Sequence, residues 1–316
     1  MIDVIIPAYN AHNTIMKTLS SIVTQTMVED LNIIIVNDAS TEDYSKEISC
    51  FKSLMKIKEI KLEKNSGPGV ARQTGIDKSK NPYIIFIDSD DIFSSPFSIA
   101  ILYNSIIEND YDMISSYFYQ EHENGEYSTI TEDRIWLHGK IYKRKFIEEN
   151  NIRFNNTSSN EDNGFNQLIY LHESKINYID DFTYIWSFNK NSITRKNNYR
   201  YKYAQIDGYI DNITWALEIV INKNIITEKI AELSYRALLA VYSYYIEFLE
   251  ESDIDKILTK SKKLKSISDK YVIDDLEYKN YIYIDQLMCL QHSFRNISLS
   301  SSKLNFVSFL KLVDES

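Results

Sequence analysis

The chain has 316 residues, more than one domain of typical size, so two folding units are expected. Hydrophobic residues make up 44% of it and aromatic residues 13%, which suffices for a packed core and excludes general disorder. The net charge of -10 excludes a nucleic-acid-binding protein that works by neutralising phosphates.

The sequence shows no sign of export or membrane insertion. No apolar stretch reaches the length of a membrane span, and no basic and apolar signal segment follows Met1. The two cysteines, Cys50 and Cys289, form neither a disulfide framework nor a metal motif. These features predict a cytoplasmic protein with reduced thiols and no transmembrane segment.

In the first half of the chain, short runs rich in Ile and Val alternate with helix-like segments. This alternation predicts an α/β fold with a mainly parallel sheet, helices on both faces, and ligands at the carboxyl ends of the strands. The predicted strands are Val4–Pro7, Asn32–Asn37, Ile57–Leu62, Tyr83–Ile87 and Met113–Gln120, and the predicted helices are Asn13–Thr24, Asp43–Met55, Pro68–Lys78 and one ending near Asn109.

Polar residues follow the first two predicted strands. Pro7 is expected to end the first ladder and turn the chain outward. Tyr9 then offers a ring on which a base can stack, and Asn10 offers a donor and an acceptor; the alternative is an ordinary loop. Asp38 can accept the imide N–H of uracil, or it can cap a helix near Thr41–Tyr44.

The segment Asn65-Ser66-Gly67-Pro68-Gly69-Val70-Ala71-Arg72 opens the third predicted helix. It is not a dinucleotide-binding fingerprint, because Arg72 stands where a third glycine belongs, and it lacks the Gly-Lys-Ser/Thr of a P-loop. It predicts a tight loop before a helix, with Arg72 on the first turns and facing a phosphate or the acidic cluster beyond the next strand.

The acidic cluster Asp88-Ser89-Asp90-Asp91 closes the apolar run Tyr83–Ile87. Carboxylates this close disfavour one another's ionisation unless a cation neutralises them. In an extended segment Asp88 and Asp90 point to the same side, where their oxygens can hold a hard divalent cation and leave coordination for a phosphorylated ligand. An Asp-rich turn or helix cap is the alternative.

The order of four motifs, Pro-x-Tyr-Asn, Val-Asn-Asp-Ala-Ser, Asn-x-Gly-x-x-x-Ala-Arg-x-x-Gly and Phe-Ile-Asp-Ser-Asp-Asp, resembles glycosyltransferase family 2. The resemblance implies the GT-A fold and inverting transfer of a sugar from a nucleoside diphosphate. It does not cover the helical remainder of the chain. It continues through Trp136–Phe146, Asn151–Phe154, Asn160–Asn163, Tyr184–Trp186 and Asn191–Thr194.

The resemblance implies a UDP-sugar donor, because Tyr9 and Asp38 match the uracil-binding pattern of the family. It also implies a Mn2+ or Mg2+ ion, with Asp90 as a direct ligand and Asp88 contacting the ion through water or the donor's ribose. The implied nucleotide-sugar-binding residues are Pro7, Ala8, Tyr9, Asn10, Asp38, Asn65, Gly67, Arg72, Asp88, Ser89 and Asp90.

Asp162 corresponds to the catalytic base of the family, and Glu161 is the second catalytic residue implied. A positioned carboxylate at the start of the predicted helix Phe165–Leu171 can take the proton of an acceptor hydroxyl. A capping pair is the alternative. Trp136 and His138 are expected on the acceptor side, although two inserted residues leave His138 equally well explained as a loop residue.

After Gly208 the chain has neither Pro nor Gly, which favours long helices. We therefore expect a catalytic domain of residues 1–196 and a helical domain of residues 197–316.

The apolar segment Leu304–Val313 predicts homo-oligomers that form through these helices, with packing inside its own domain as the alternative and membrane attachment disfavoured. One amphipathic helix is predicted from the spacing of Ile226, Ile230, Leu233, Ala237, Val241, Tyr244 and Phe248.

Together these features predict a metal-dependent glycosyltransferase that moves a sugar from a UDP-sugar to a hydroxyl on a glycan, glycoprotein or other surface glycoconjugate. One alternative is a nucleotidyltransferase of related architecture, which needs a Gly-rich loop directly after the first strand. The other is a non-catalytic nucleotide-sugar-binding scaffold, and the intact Asp88, Asp90 and Asp162 count against it.

Overall fold

A computed structural model describes residues 1–157, 159–190, 192, 199–247, 254–272, 274–275, 277, 279–280, 283 and 306–316. Within Asn191–Thr194, the last stretch of the family resemblance, the residues Asn191, Ile193 and Thr194 lie outside these ranges. Phe248, Cys289 and Leu304 also lie outside them. The chain divides into two units. The first comprises Met1–Asn156, Glu161–Ile169 and Glu173–Asn197, and the second comprises Thr157–Asn160, Tyr170–His172 and Asn198–Ser316.

Among the described residues, a sheet of nine strands forms the centre of the first unit. The strands are β1 (Ile2–Ala8), β2 (Leu31–Asn37), β3 (Lys56–Lys61), β4 (Tyr83–Phe86), β5 (Ile92–Phe93), β6 (Met113–Glu121), β7 (Tyr127–Ile130), β8 (Lys140–Lys143) and β9 (Ile176–Trp186). Their order is β3-β2-β1-β4-β8-β6-β9-β5, with β7 paired to β6. The first four strands are parallel, whereas β8 runs antiparallel to β4 and β6.

Helices flank the sheet as the alternating pattern predicts. They are α1 (Ile15–Val23), α2 (Ser45–Ser49), α3 (Pro68–Lys78), α4 (Ser98–Glu108), α5 (Arg144–Glu149) and α6 (Glu161–Leu171), with a 3-10 turn at Val28–Asp30. The predicted helix Asp43–Met55 is wrong in length. Beyond α2, N–H groups bond to the carbonyl three residues back, at Phe51 and Leu54, so turns replace the α-helical ladder.

Side chains of β1 alternate between two buried layers, because successive residues of a strand point to opposite faces. Val4 and Ile6 belong to a core that also contains Ile15 of α1 and Leu102 of α4. On the opposite face, Gly75 of α3 passes so close to Ile5 that a Cβ at Gly75 would lie 2.3 Å from the Ile5 side chain. A residue without a side chain is therefore required where α3 crosses β1.

The second unit is helical, with α7 (Tyr199–Asn222), α8 (Glu228–Glu247), α9 (Ile254–Lys270) and α10 (Phe306–Glu315). The predicted amphipathic helix is confirmed as α8, whose core-facing residues are buried. Ile226, however, precedes α8 and is 56% exposed, so its assignment to the helix is wrong. The buried α8 residues of the predicted pattern are Ile230, Leu233, Ala237, Val241 and Tyr244.

No helix of the described ranges has both the length and the apolar composition needed to cross a membrane.

The apolar face of α10 packs inside the second unit. Phe309 and Val313 are fully buried in a core that includes Tyr242, Tyr245 and Ile257. Two of the apolar residues on which the prediction of homo-oligomers was based are therefore covered within the chain, whereas Val307 is exposed. Self-association through the C-terminal helices stays a prediction.

Replacement of Phe309 by alanine should destabilise the helical unit by about 3–5 kcal/mol, because the substitution leaves a cavity in a packed core. The urea midpoint followed by far-UV circular dichroism measures this loss. Val307→Ala on the same helix is the matched control, since Val307 is 64% exposed and its truncation should change stability by less than about 0.5 kcal/mol. Equal midpoints for the two variants would contradict the packing of α10.

Candidate functional site

The loops that follow β1 and β2 meet at one edge of the sheet, because these strands run parallel. Pro7 and Ala8 are buried inside β1, which ends one residue later than expected, where Ala8 pairs with Asn37. The predicted end of the strand at Pro7 is therefore wrong. Pairing of β1 with β4 stops at Ile5 and Phe86, so the nitrogen of Pro7 interrupts no ladder bond on that side.

Asn10 ties these two loops together. Its backbone lies in the left-handed region with φ of 50°. Its Oδ1 accepts the N–H of Thr41 at 2.9 Å, and its own N–H donates to Oγ of Ser40 at 2.9 Å. The neighbouring Tyr9 side chain is 48% exposed. A fixed loop thus presents an accessible ring, as base stacking requires.

Asp38 fixes the loop that precedes α3. Its carboxylate is buried and accepts the N–H of Ser66 at 2.7 Å and of Gly67 at 2.8 Å. Gly67 has φ of 89°, a conformation that favours glycine. The alternative role as a helix cap near Thr41 is wrong, since these bonds go to the loop. Asn65, one residue before this anchor, is exposed.

Arg72 joins two acidic residues from different elements. Its buried guanidinium donates from Nη2 to Asp88 Oδ1 at 2.6 Å and from Nη1 to Glu161 Oε1 at 2.7 Å. Burial disfavours the charged guanidinium, but the two carboxylates outweigh burial and raise the pKa of Arg72. Gly69 allows this approach, because a Cβ there would lie 2.9 Å from Glu161 Cγ. Of the two predicted targets, Arg72 faces the acidic cluster.

Glu161 and Asp162 occupy the first turn of α6. Asp162 is half-buried, and its Oδ1 accepts the N–H of Asn163 at 2.7 Å, which is a local capping bond. Burial and, next, the charge of Glu161 raise the pKa of Asp162 to about 7, although Arg72 opposes the shift. A carboxylate with a pKa near neutrality suits a general base.

Asp88 and Asp90 follow β4, with the half-buried Ser89 between them. Asp88 is half-buried and uses Oδ1 for Arg72. Asp90 is also half-buried, and its Oδ2 accepts Nδ2–H of Asn189 at 2.9 Å. Asp88 therefore contacts the guanidinium of Arg72, whereas Asp90 contacts the amide of Asn189.

Asp91 is almost completely buried at the same edge. Its Oδ2 accepts the hydroxyl of Tyr184 at 2.6 Å, and its Oδ1 accepts the N–H of Ser187 at 2.8 Å. The Tyr184 oxygen in turn accepts the N–H of Asp88 at 3.3 Å. Tyr184 thus connects the end of β9 with both ends of the acidic cluster.

The charges of the cluster fit a divalent cation. Burial alone would raise the pKa of Asp88, but Arg72 outweighs burial and lowers it. Burial and the charge of Asp88 raise the pKa of Asp90, and burial with the charges of Asp90 and Asp88 raises that of Asp91 well above its ordinary value. Within the described residues, neither Asp90 nor Asp91 is paired with a lysine or arginine, and oxygen ligands of this kind suit Mg2+ or Mn2+.

His138 lies beside the cluster, and Trp136 packs against His138. Nε2 of the buried His138 is 3.9 Å from Asp88 Oδ2 and 3.8 Å from Asp91 Oδ2. The imidazole stacks on Tyr184, with centroids 4.7 Å apart and planes at 16°. The ring of Trp136 is nearly parallel to it at 6.3 Å. The structure thus places His138 against the acidic cluster, a position that neither of its two sequence-based roles anticipated.

Sequence reasoning missed Asp91, Tyr184 and Asn189 as site residues. Asp91 stands in the acidic run itself, and that position could have indicated it. Tyr184 shares a strand face with Trp186 two residues later, so alternation could have indicated Tyr184. No local signal in the sequence pairs Asn189 with Asp90.

The family model for "Glycosyl transferase family 2" matches residues 3–160. The chain belongs to this family. It is similar to glycosyltransferase GlyA of Streptococcus pneumoniae serotype 4 (strain ATCC BAA-334 / TIGR4), with 30% identity over 67% of this chain and 34% of GlyA. It is also similar to poly(ribitol-phosphate) beta-N-acetylglucosaminyltransferase TarP of Staphylococcus aureus (strain N315), with 30% identity over 55% of this chain and 58% of TarP. The chain thus spans about a third of the length of GlyA and less than two thirds of TarP.

Solved structures share the fold. S. aureus TarS residues 1–349, in complex with UDP-GlcNAc, superposes with a TM-score of 0.73 at 18% identity and covers 93% of this chain and 91% of its own. A mannosyltransferase from Pyrobaculum calidifontis, in complex with GDP-Man and Mn2+, gives a TM-score of 0.55 at 12% identity, over 99% and 86% of the two chains. The predicted GT-A fold with a helical C-terminal region is confirmed.

Asp162→Asn should stabilise the protein increasingly as the pH rises from about 4 to about 7. The pKa of Asp162 is about 7 in the folded chain against an ordinary 3.8, so ionisation costs folding free energy above the ordinary pKa. The melting temperature of the variant, relative to wild type, should therefore be higher at pH 7.5 than at pH 5. Glu63→Gln, at an exposed position, is the control and should show no such trend. A difference that is independent of pH would contradict the raised pKa.

Proposed function

We propose that the chain transfers a sugar from a UDP-sugar to a hydroxyl of a glycan acceptor, with inversion at the anomeric carbon. The observation that carries this proposal is the Arg72 bridge. It joins Asp88 of the acidic cluster to Glu161, the neighbour of Asp162. A cluster suited to a cation and its diphosphate, and a carboxylate suited to a base, therefore belong to one site.

The comparisons support the choice of donor and acceptor class. TarP is named for transfer of N-acetylglucosamine to poly(ribitol phosphate), and TarS was solved with UDP-GlcNAc. In this chain the exposed ring of Tyr9 would stack on uracil, and Asp38 would contact the uracil imide from beside the loop it anchors. The remaining donor-binding residues are proposed to be Pro7, Ala8, Asn10, Asn65, Gly67, Arg72, Asp88, Ser89 and Asp90.

Asp162 would act as the general base. Its carboxylate takes the proton of the acceptor hydroxyl while the acceptor oxygen attacks the anomeric carbon. The bond between that carbon and the diphosphate oxygen breaks, and UDP leaves with the bonding electron pair. Attack from the face opposite the leaving group inverts the configuration, and no covalent enzyme intermediate is needed.

Asp90 and Asp88 would hold the divalent cation, Mn2+ or Mg2+. When bound, such an ion neutralises the charge that develops on the departing diphosphate. Glu161 would serve Arg72 rather than the acceptor, since its Oε1 already binds the guanidinium. Arg72 thereby holds Asp88 ionised and the start of α6 in place.

Asp162→Asn should lower kcat by about a hundredfold or more, because the amide retains the shape of the side chain but cannot accept the proton. Release of UDP and transfer to a glycan acceptor measure the effect. For wild type, kcat/KM should rise with pH and level off above about 7, the pKa of Asp162 in the free protein. Unchanged kcat with weakened donor binding would instead assign Asp162 to binding.

Asp90→Ala should abolish the dependence of activity on Mn2+ or Mg2+ together with most of the activity, while the fold is retained. Removal of one carboxylate from the cluster relieves repulsion in the metal-free protein, so the melting temperature should not fall. Asp30→Ala, at an exposed position, is the control. Full activity of the Asp90 variant, or of wild type in excess chelator, would contradict the proposed ion site.

A further inference from the structure

The segment Asp133–Lys140, which carries His138, is held by a buried polar network that the proposed mechanism does not use. The Asp133 carboxylate accepts the N–H groups of Ile135 and Trp136, each at 3.0 Å. Nζ of the fully buried Lys140 binds the same carboxylate at 2.5 Å. A buried ion pair contributes little net stability, so its main effect here is to hold the segment in one conformation.

Two further elements fix this segment. Nδ2 of Asn166, on α6, donates to the carbonyls of Ile135 and Trp136 at 2.8 Å each. Gly139 has φ of 63°, and a Cβ there would lie 2.5 Å from Oγ of Ser116 on β6. The N–H of Ser116 donates to the Gly139 carbonyl at 2.9 Å, so the backbone beside His138 is held from both α6 and β6.

The imidazole of His138 is directed into the acidic cluster. The side chain is more than nine-tenths buried, and its Nδ1 has no hydrogen-bond partner within the described part of the chain. Nε2 lies 3.9 Å from Asp88 Oδ2 and 3.8 Å from Asp91 Oδ2. These separations exceed a hydrogen bond, whereas two ligands each about 2.1 Å from a shared ion lie about 3 to 4.2 Å apart.

We propose that Nε2 of His138 is a nitrogen ligand of the divalent cation and that Asp91 joins Asp88 and Asp90 as an oxygen ligand. One ligand atom each from Asp88, Asp91 and His138 lie within 4.8 Å of one another. Imidazole is a ligand for transition-metal ions, while Mg2+ prefers oxygen. The site therefore favours Mn2+ over Mg2+. This inference rests on the proposed function for the presence of the ion.

Electron spin-echo spectroscopy of Mn2+ bound to the full chain tests the inference directly. Protein that carries 15N only in histidine should show coupling of the Mn2+ spin to 15N where unlabelled protein shows coupling to 14N. His138→Asn should abolish this coupling. His122→Asn should retain it, because His122 lies in the β6–β7 turn and pairs with Ser128. If the His138 variant fails to fold, the labelled wild type still tests the inference, because bound Mn2+ without coupling to 15N would contradict it.

Binding titrations supply a second readout. His138→Asn should raise the Kd for Mn2+ by about tenfold or more and change the Kd for Mg2+ much less. Bound Mn2+ without histidine coupling would overturn the inference and leave His138 as a counter-charge for the carboxylates. A wild type that binds no Mn2+ would overturn it as well. If the protein transfers sugar from UDP-sugars but shows no histidine coupling, only this inference is refuted. If it shows histidine coupling but is inactive with every UDP-sugar, only the proposed function is refuted.

Discussion

The buried guanidinium of Arg72 is the constraint on which the arrangement of the site depends. It is shared by Asp88, which follows β4, and Glu161, which opens α6. Loss of one partner of a buried charge pair leaves an uncompensated charge that costs about 3–5 kcal/mol. The pairing therefore fixes the distances between α3, β4 and α6, and Gly69 supplies the space that this spacing requires.

The remaining acidic groups make the site electrostatically incomplete. Arg72 offsets Asp88 and Glu161, whereas Asp90, Asp91 and Asp162 all have a raised pKa. In a chain of net charge -10, a diphosphate would be repelled unless cations gather at this edge. Charge that is disfavoured in the free protein becomes favourable when a cation arrives, so under the proposed function this linkage would make the site select a cation and a phosphorylated ligand together.

Much of the fold could be predicted from sequence because Ile- and Val-rich runs and helical spacing are local signals, and α3 was predicted with its observed bounds. The convergence of Asp91, His138 and Tyr184 could not be predicted. It depends on the register of β9 against β6, which shifts on both sides of Tyr117. Such irregularities re-aim side chains without leaving a mark in the hydrophobic pattern. The burial of Lys140 as a charged group could likewise not be predicted, because only tertiary packing brings it against its partner Asp133.

The position of α10 has a consequence for biosynthesis. Core residues of α8 and α9, such as Tyr242 and Ile257, pack with Phe309 and Val313, which lie more than fifty residues further along the chain than Ile257. The sheet-based unit is complete in sequence by Asn197. During translation it can therefore fold while the ribosome is still adding the helices, whereas the part of α8 and α9 that contacts α10 stays uncovered until α10 emerges. Apolar surface that is exposed in this way favours aggregation of the nascent chain.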